Sequence, residues 1–152
     1  MSSVYVRDTF KAFIVAQAAT ESLVDLSAHF ESVEDLLAQQ TPPLGPKVPW
    51  LGIEFLPSDE VPIAIATGNT QGKYRESGII QLHVVGIAKL GVADSILTRG
   101  ETLRALLRGR NISGIRIESV SPVNFALGAT LDFEAGFMSG TILVSYEHDK
   151  DL

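Results

Sequence analysis

The sequence predicts an α+β fold, a mostly antiparallel sheet with two helices packed on one face. Three observations predict it. Apolar residues recur at helical spacing in two separate segments, Val4–Ala19 and Val92–Arg108. Strand-like alternation recurs in several others, most clearly in Ile79–Ala88, where Ile80, Leu82 and Val84 face one way and Gln81 and His83 the other. The order of helix, irregular segment, strands, helix, strands is that of helices segregated to one sheet face, not of alternating parallel units.

The first helix places Val6, Phe10, Phe13 and Gln17 on one face with Ile14 beside them, and Arg7, Asp8 and Lys11 toward the other. Leu23–Phe30 reads as a short strand, and Val33–Gln39 as a short helix capped by Ser32. Pro42, Pro43 and Pro46 then forbid regular structure by removing donors and fixing φ. Leu51–Leu56 alternates as a strand, with Leu51, Ile53 and Phe55 opposite Glu54. Pro57–Glu60 reads as a turn and Val61–Ala66 as a strand. The twelve polar and Gly-containing residues Thr67–Gly78 read as a long hairpin loop, a length that is often functional. In the second helix Ile96, Gly100, Leu103 and Leu107 form the stripe. Gly109 follows where a positive φ is wanted. Strands are expected at Ile115–Val120, Val123–Leu127 and Phe137–Glu147, with Gln81, His83, Ser139, Thr141 and Ser145 on a polar sheet face that meets water or another subunit. His83 is expected as an exposed or interface strand residue. His148 belongs to an acidic tail, 147–152, expected to be mobile.

A chain of 152 residues fits one domain and buries enough surface for a core without disulfides or metal. With no cysteine there is no thiolate zinc site, iron–sulfur cluster or cysteine nucleophile. No apolar run reaches the ~18 residues a membrane span needs. The five apolar residues Ala12–Ala16 fall short of a signal-peptide core, for which about 7 are needed.

His29, His83 and His148 lack metal-ligand spacing. Gly68–Lys73 has three residues between its glycines where a Walker loop has four, and Tyr74 replaces the magnesium-binding hydroxyl. No G-x-S-x-G nucleophile motif is present. No catalytic residue, cofactor or metal is therefore expected.

Charge is segregated although the net value is only −6. Between Asp94 and Arg116, five arginines (Arg99, Arg104, Arg108, Arg110, Arg116) stand against two acids. Six acids, including Glu54, Asp59 and Glu60, stand against one lysine between Glu31 and Glu60, and five against one from Leu131 onward. A basic helix end of one copy meeting an acidic patch of the next would fix register in a head-to-tail assembly. The positive mean hydropathy agrees with surface buried between subunits.

Several segments carry a resemblance in this order: the amphipathic first helix, the Pro-rich approach to Pro49-Trp50-Leu51-Gly52-Ile53-Glu54-Phe55, and the polar stretch ending Arg75-Glu76-Ser77-Gly78 before Ile79–Gly86. Gly91 opening a helix, Gly114-Ile115-Arg116-Ile117 and the final strand Gly140–Tyr146 complete it. The chain resembles the lambda-type tail terminator (minor tail) proteins of long-tailed bacteriophages. It departs from them in a longer segment before Trp50, Val24–Gln40. The resemblance implies a homo-oligomer, a hexameric ring, that caps the tail tube and ends its polymerisation. It also implies contact with tail tube protein and with the head–tail connector, DNA passing through the lumen without specific recognition, and a place in the virion after assembly in the host cytoplasm. Asn69, Lys73, Tyr74, Arg75, Arg99, Arg104, Arg108, Glu54, Asp59 and Glu60 are the expected subunit or tube contacts. The alternatives are another head–tail joining protein and a small-ligand-binding α+β domain.

Overall fold

The computed structural model describes residues 3–20, 27–29, 50–64, 72–87, 90–125 and 137–151. In chain order its elements are α1 (Val4–Thr20), β1 (Ser27–His29), β2 (Trp50–Phe55), β3 (Asp59–Ala64), β4 (Lys73–Ile87), α2 (Val92–Leu107), β5 (Asn111–Ile112), β6 (Ile115–Val120) and β7 (Phe137–Asp151). The fold is α+β, with a mostly antiparallel, curled sheet. Strand order is β1-β2-β4-β7-β6-β5, with β3 paired to β4 beside β2.

Two strands organise the molecule. β4 and β7 pair antiparallel from Lys73↔Asp151 to Ile87↔Phe137. Fifteen residues at about 3.4 Å each make a ribbon of roughly 50 Å, longer than one core can cover. β2 pairs with the half of β4 over the core, Ile80–Val85. β3 pairs with the other half, Lys73–Ser77. The result is a body plus an arm, β3-β4-β7, joined at its base by the start of β6.

The core lies on one face. Leu51 and Ile53 of β2, Ile80, Leu82 and Val84 of β4, Ile142, Val144 and Tyr146 of β7, and Ile115, Ile117 and Val120 of β6 are buried with Val6, Phe10 and Ile14 of α1 and Ile96, Leu103 and Leu107 of α2. The α1 stripe is centred on Val6, Phe10 and Ile14, with Phe13 at its flank, a slight rotation from the expected face. Phe10 meets Phe55 edge-on at 6.0 Å. Gly100 and Gly140 are required by close approach. A Cβ on Gly100 would lie 2.2 Å from Val123 Cγ2, and one on Gly140 2.4 Å from Val123 Cγ1, so Val123 wedges between α2 and β7.

Several expectations need correction. The stretch Thr67–Gly78 is not a loop throughout: Lys73–Gly78 are in β4, and their polarity reflects an arm rather than a turn. Asp59 and Glu60 are the first residues of β3, not a turn. The acidic tail is strand as far as Asp151, and Glu147, Asp149 and Lys150 have charged partners on neighbouring strands. β1 pairs parallel to β2, which alternation alone could not reveal. Val123–Phe125 contribute only the single bridge Asn124↔Thr141. The expected short helix Val33–Gln39, the proline run and Asn69 lie outside the described residues.

Candidate interaction surface

Alternation along β4 and β7 sends odd-numbered residues to the face opposite the helices. Across the arm this stacks Val61, Arg75 and Asp149 in one row and Asp59, Ser77 and Glu147 in the next. β6 adds Arg116 directly opposite Glu147. Arg75 Nε and Nη2 donate to the two oxygens of Asp149 at 2.7 and 3.2 Å. Arg116 Nη1 donates to Asp149 Oδ2 at 3.1 Å, and its Nη2 to Glu147 Oε2 at 3.1 Å. The Arg75 and Arg116 guanidiniums hold the Asp149 carboxyl well below the usual carboxylate range. Hydrogen bonding to Asp149 raises both arginines in return.

The opposite face of the arm carries Glu60, Glu76, His148 and Lys150. Lys150 Nζ pairs with Glu60 Oε2 at 2.9 Å. Glu76, only 2% exposed, accepts from Ser3 N at 2.8 Å and from the Tyr146 hydroxyl at 3.0 Å through Oε1. Its other oxygen has no partner among the described residues. Burial pushes the Glu76 carboxyl up, but the bonds from Ser3 and Tyr146 outweigh it and leave the group below its ordinary value. Ser3 Oγ in turn accepts from Val6 N at 3.4 Å, an N-cap for α1. Tyr5 stacks on His148 at 4.8 Å and donates to Ser113 O at 2.7 Å. His148 is thus part of a helix anchor, not a solvated tail.

His83 is also not an exposed strand residue. It is 5% exposed, and each ring nitrogen has a partner. A carboxylate can only accept, so Nε2 donates to Glu54 Oε2 at 3.1 Å, and in the neutral ring Nδ1 accepts from Thr141 Oγ1 at 2.9 Å. Carboxylate, imidazole and hydroxyl stand in the order of a relay. Thr141 has no exposed surface, so this hydroxyl is sealed from any substrate.

The expected contact residues scatter accordingly. Arg75 joins the charged network, and Glu60 is tied to Lys150. Tyr74 lies half-buried opposite Lys150 and Pro62. Lys73 begins β4 opposite Asp151. Asp59 lines a cleft of about 340 Å³ with Ser77, Ile79, Glu118 and Glu147. Glu54 holds His83. Arg99 lines a separate cleft of about 230 Å³ near Gly91 and Ser95. Arg104 Nε donates to Val120 O at 3.1 Å and lies 3.7 Å from Glu101. Arg108 closes α2 with its side chain exposed. Arg116, Glu147, Asp149 and Glu76 were not expected contributors. Alternation continued past Glu147 would have aligned Glu147 and Asp149 on one face.

Among the described residues no three His, Asp or Glu side chains are arranged to hold a metal ion. No described helix is long and apolar enough to cross a membrane. No protein-family model matches the chain, and no curated protein matches it in sequence. The molecule is therefore classed by its own architecture, an α+β protein with a charged β arm.

Proposed function

We propose that this chain is a structural subunit of a long-tailed phage particle, forming a ring that caps the tail tube, ends its polymerisation and offers a surface to the head connector. The observation that carries the reading is the arm. Its three strands extend a sheet whose core-facing half is covered by helices, and its outer face is a ladder of charged side chains. Charged surfaces of this kind set register and partner choice more than affinity. Among the described residues, the relay-like group Glu54-His83-Thr141 has a buried hydroxyl, which favours an assembly role over chemistry. The residue order described from the sequence supplies the particular assembly.

The test is to add the purified chain to polymerising tail tube protein and measure tube lengths by electron microscopy. The reading expects elongation to stop and tubes to carry an end cap. Tubes that grow to the same length distribution with and without the chain would contradict it.

A further inference from the structure

Most charged side chains of the arm and of α2 are engaged inside the subunit. Arg75 and Arg116 hold Asp149 and Glu147, and Lys150 holds Glu60. Arg104 binds Val120 O, and Arg110 lies over the Phe13 ring at 5.4 Å. Asp59 and Arg108 differ. Both are exposed and, like Asp94 at the start of α2, have no charged partner among the described residues.

They lie on different surfaces, Asp59 on the sheet face opposite the helices and Arg108 at the end of α2. Asp59 opens β3, the edge strand of the arm. Arg108 ends α2 and leads through Gly109 to Arg110, whose carbonyl accepts from Ile117 N of β6 at 2.9 Å. Asp59 sits among charges of its own sign. Asp59 shares its cleft with Glu118 and Glu147. Around it the carboxylates Asp59, Glu118, Glu147 and Asp149 outnumber the guanidiniums of Arg75 and Arg116. Arg108 is flanked by Arg104 and Arg110. Val61, half exposed, stands beside Asp59 on the same face and can receive the alkyl stem of an arginine. Pro62 lacks an N–H on this edge strand, which disfavours pairing by backbone, so side chains carry the contact.

The geometry points to a head-to-tail contact between copies of this chain, in which Arg108 of one copy seats against Asp59 and the acidic cleft of the next. Two different surfaces meet, so the contact is heterologous and closes into a ring when its rotation permits. The inference rests on the ring reading above and names the surfaces that would build it.

The experiment measures self-association by sedimentation, with and without tail tube protein, for the unaltered chain, Arg108→Glu, Asp59→Arg and the double variant. Both sites are exposed, so thermal unfolding should match the unaltered chain in all three variants. Each single reversal places like charges together and should weaken association roughly tenfold or more, while the double reversal restores it. Association of the unaltered chain should also weaken with added salt. Single variants that associate normally, or a double variant that fails to recover, would overturn the contact. If the chain still caps tubes in that case, only this contact falls. If the unaltered chain neither associates nor caps tubes, the ring reading falls with it.

Discussion

Asp149 lies directly opposite Arg75 in the β4–β7 ladder and takes both of its donated hydrogen bonds, the shorter at 2.7 Å. Arg116 binds the same carboxylate from the other side. The arm is therefore tied across β4, β7 and β6 by one side chain.

This tie makes arm stability depend on acidity. The Asp149 carboxyl is depressed in the folded chain by its two arginines. Between the folded value and the unfolded value, about 3.9, the unfolded chain binds more protons. The contribution is thus present above the unfolded value and is lost as pH falls through the folded one. Melting temperature of the unaltered chain should drop more steeply from about pH 5 to pH 2 than that of Asp149→Asn. Parallel curves for the two would show that Asp149 carries no such linkage.

Glu76 makes a second anchor, between the start of α1 and the arm. Glu76→Ala removes the acceptor for Ser3 N–H and the Tyr146 hydroxyl. Leaving buried donors unsatisfied costs about 1–3 kcal/mol. Urea denaturation should show that loss, and hydrogen exchange should speed up in the first turn of α1. An unchanged midpoint together with unchanged exchange would contradict the anchor.

Thr141→Val keeps the side-chain shape but strips His83 Nδ1 of its partner. The expected cost is about 1–3 kcal/mol in denaturant unfolding, and Thr141→Ser should recover most of it. Equal stability of the Val and Ser variants would mean that shape alone matters at this site.

Gly140→Ala should destabilise by about 1–3 kcal/mol, because the new methyl meets Val123 Cγ1 at 2.4 Å and Ile96 Cγ2 at 2.9 Å. Adding Val123→Ala should return part of the loss, so the double-mutant cycle should show coupling. Simple additivity would place the strain elsewhere.

Hydrophobic contrast decided what was legible in the sequence. The stripe of α2, with Ile96, Gly100, Leu103 and Leu107 buried, and the strand Ile115–Val120 stand as expected because apolar residues mark their periods. The arm was hidden because Arg75-Glu76-Ser77 and Glu147-His148-Asp149 alternate between two polar faces, a pattern that resembles a solvated loop. Their partners lie 74 residues apart in sequence for Arg75 and Asp149. The charge blocks were visible, but their pairing was not. Arg116 of the basic block and the acids of the C-terminal block meet inside one subunit. The partners of His83 are invisible in its own strand, because Glu54 and Thr141 come from neighbouring strands.

The proposed role requires copies of this chain to form a ring on tail tube ends. Negative-stain microscopy of the purified chain mixed with tail tubes, paired with the mass by light scattering, tests it most directly. Closed rings about one tail wide, seated on tube ends, are expected. Monomers in solution beside bare tube ends would contradict it.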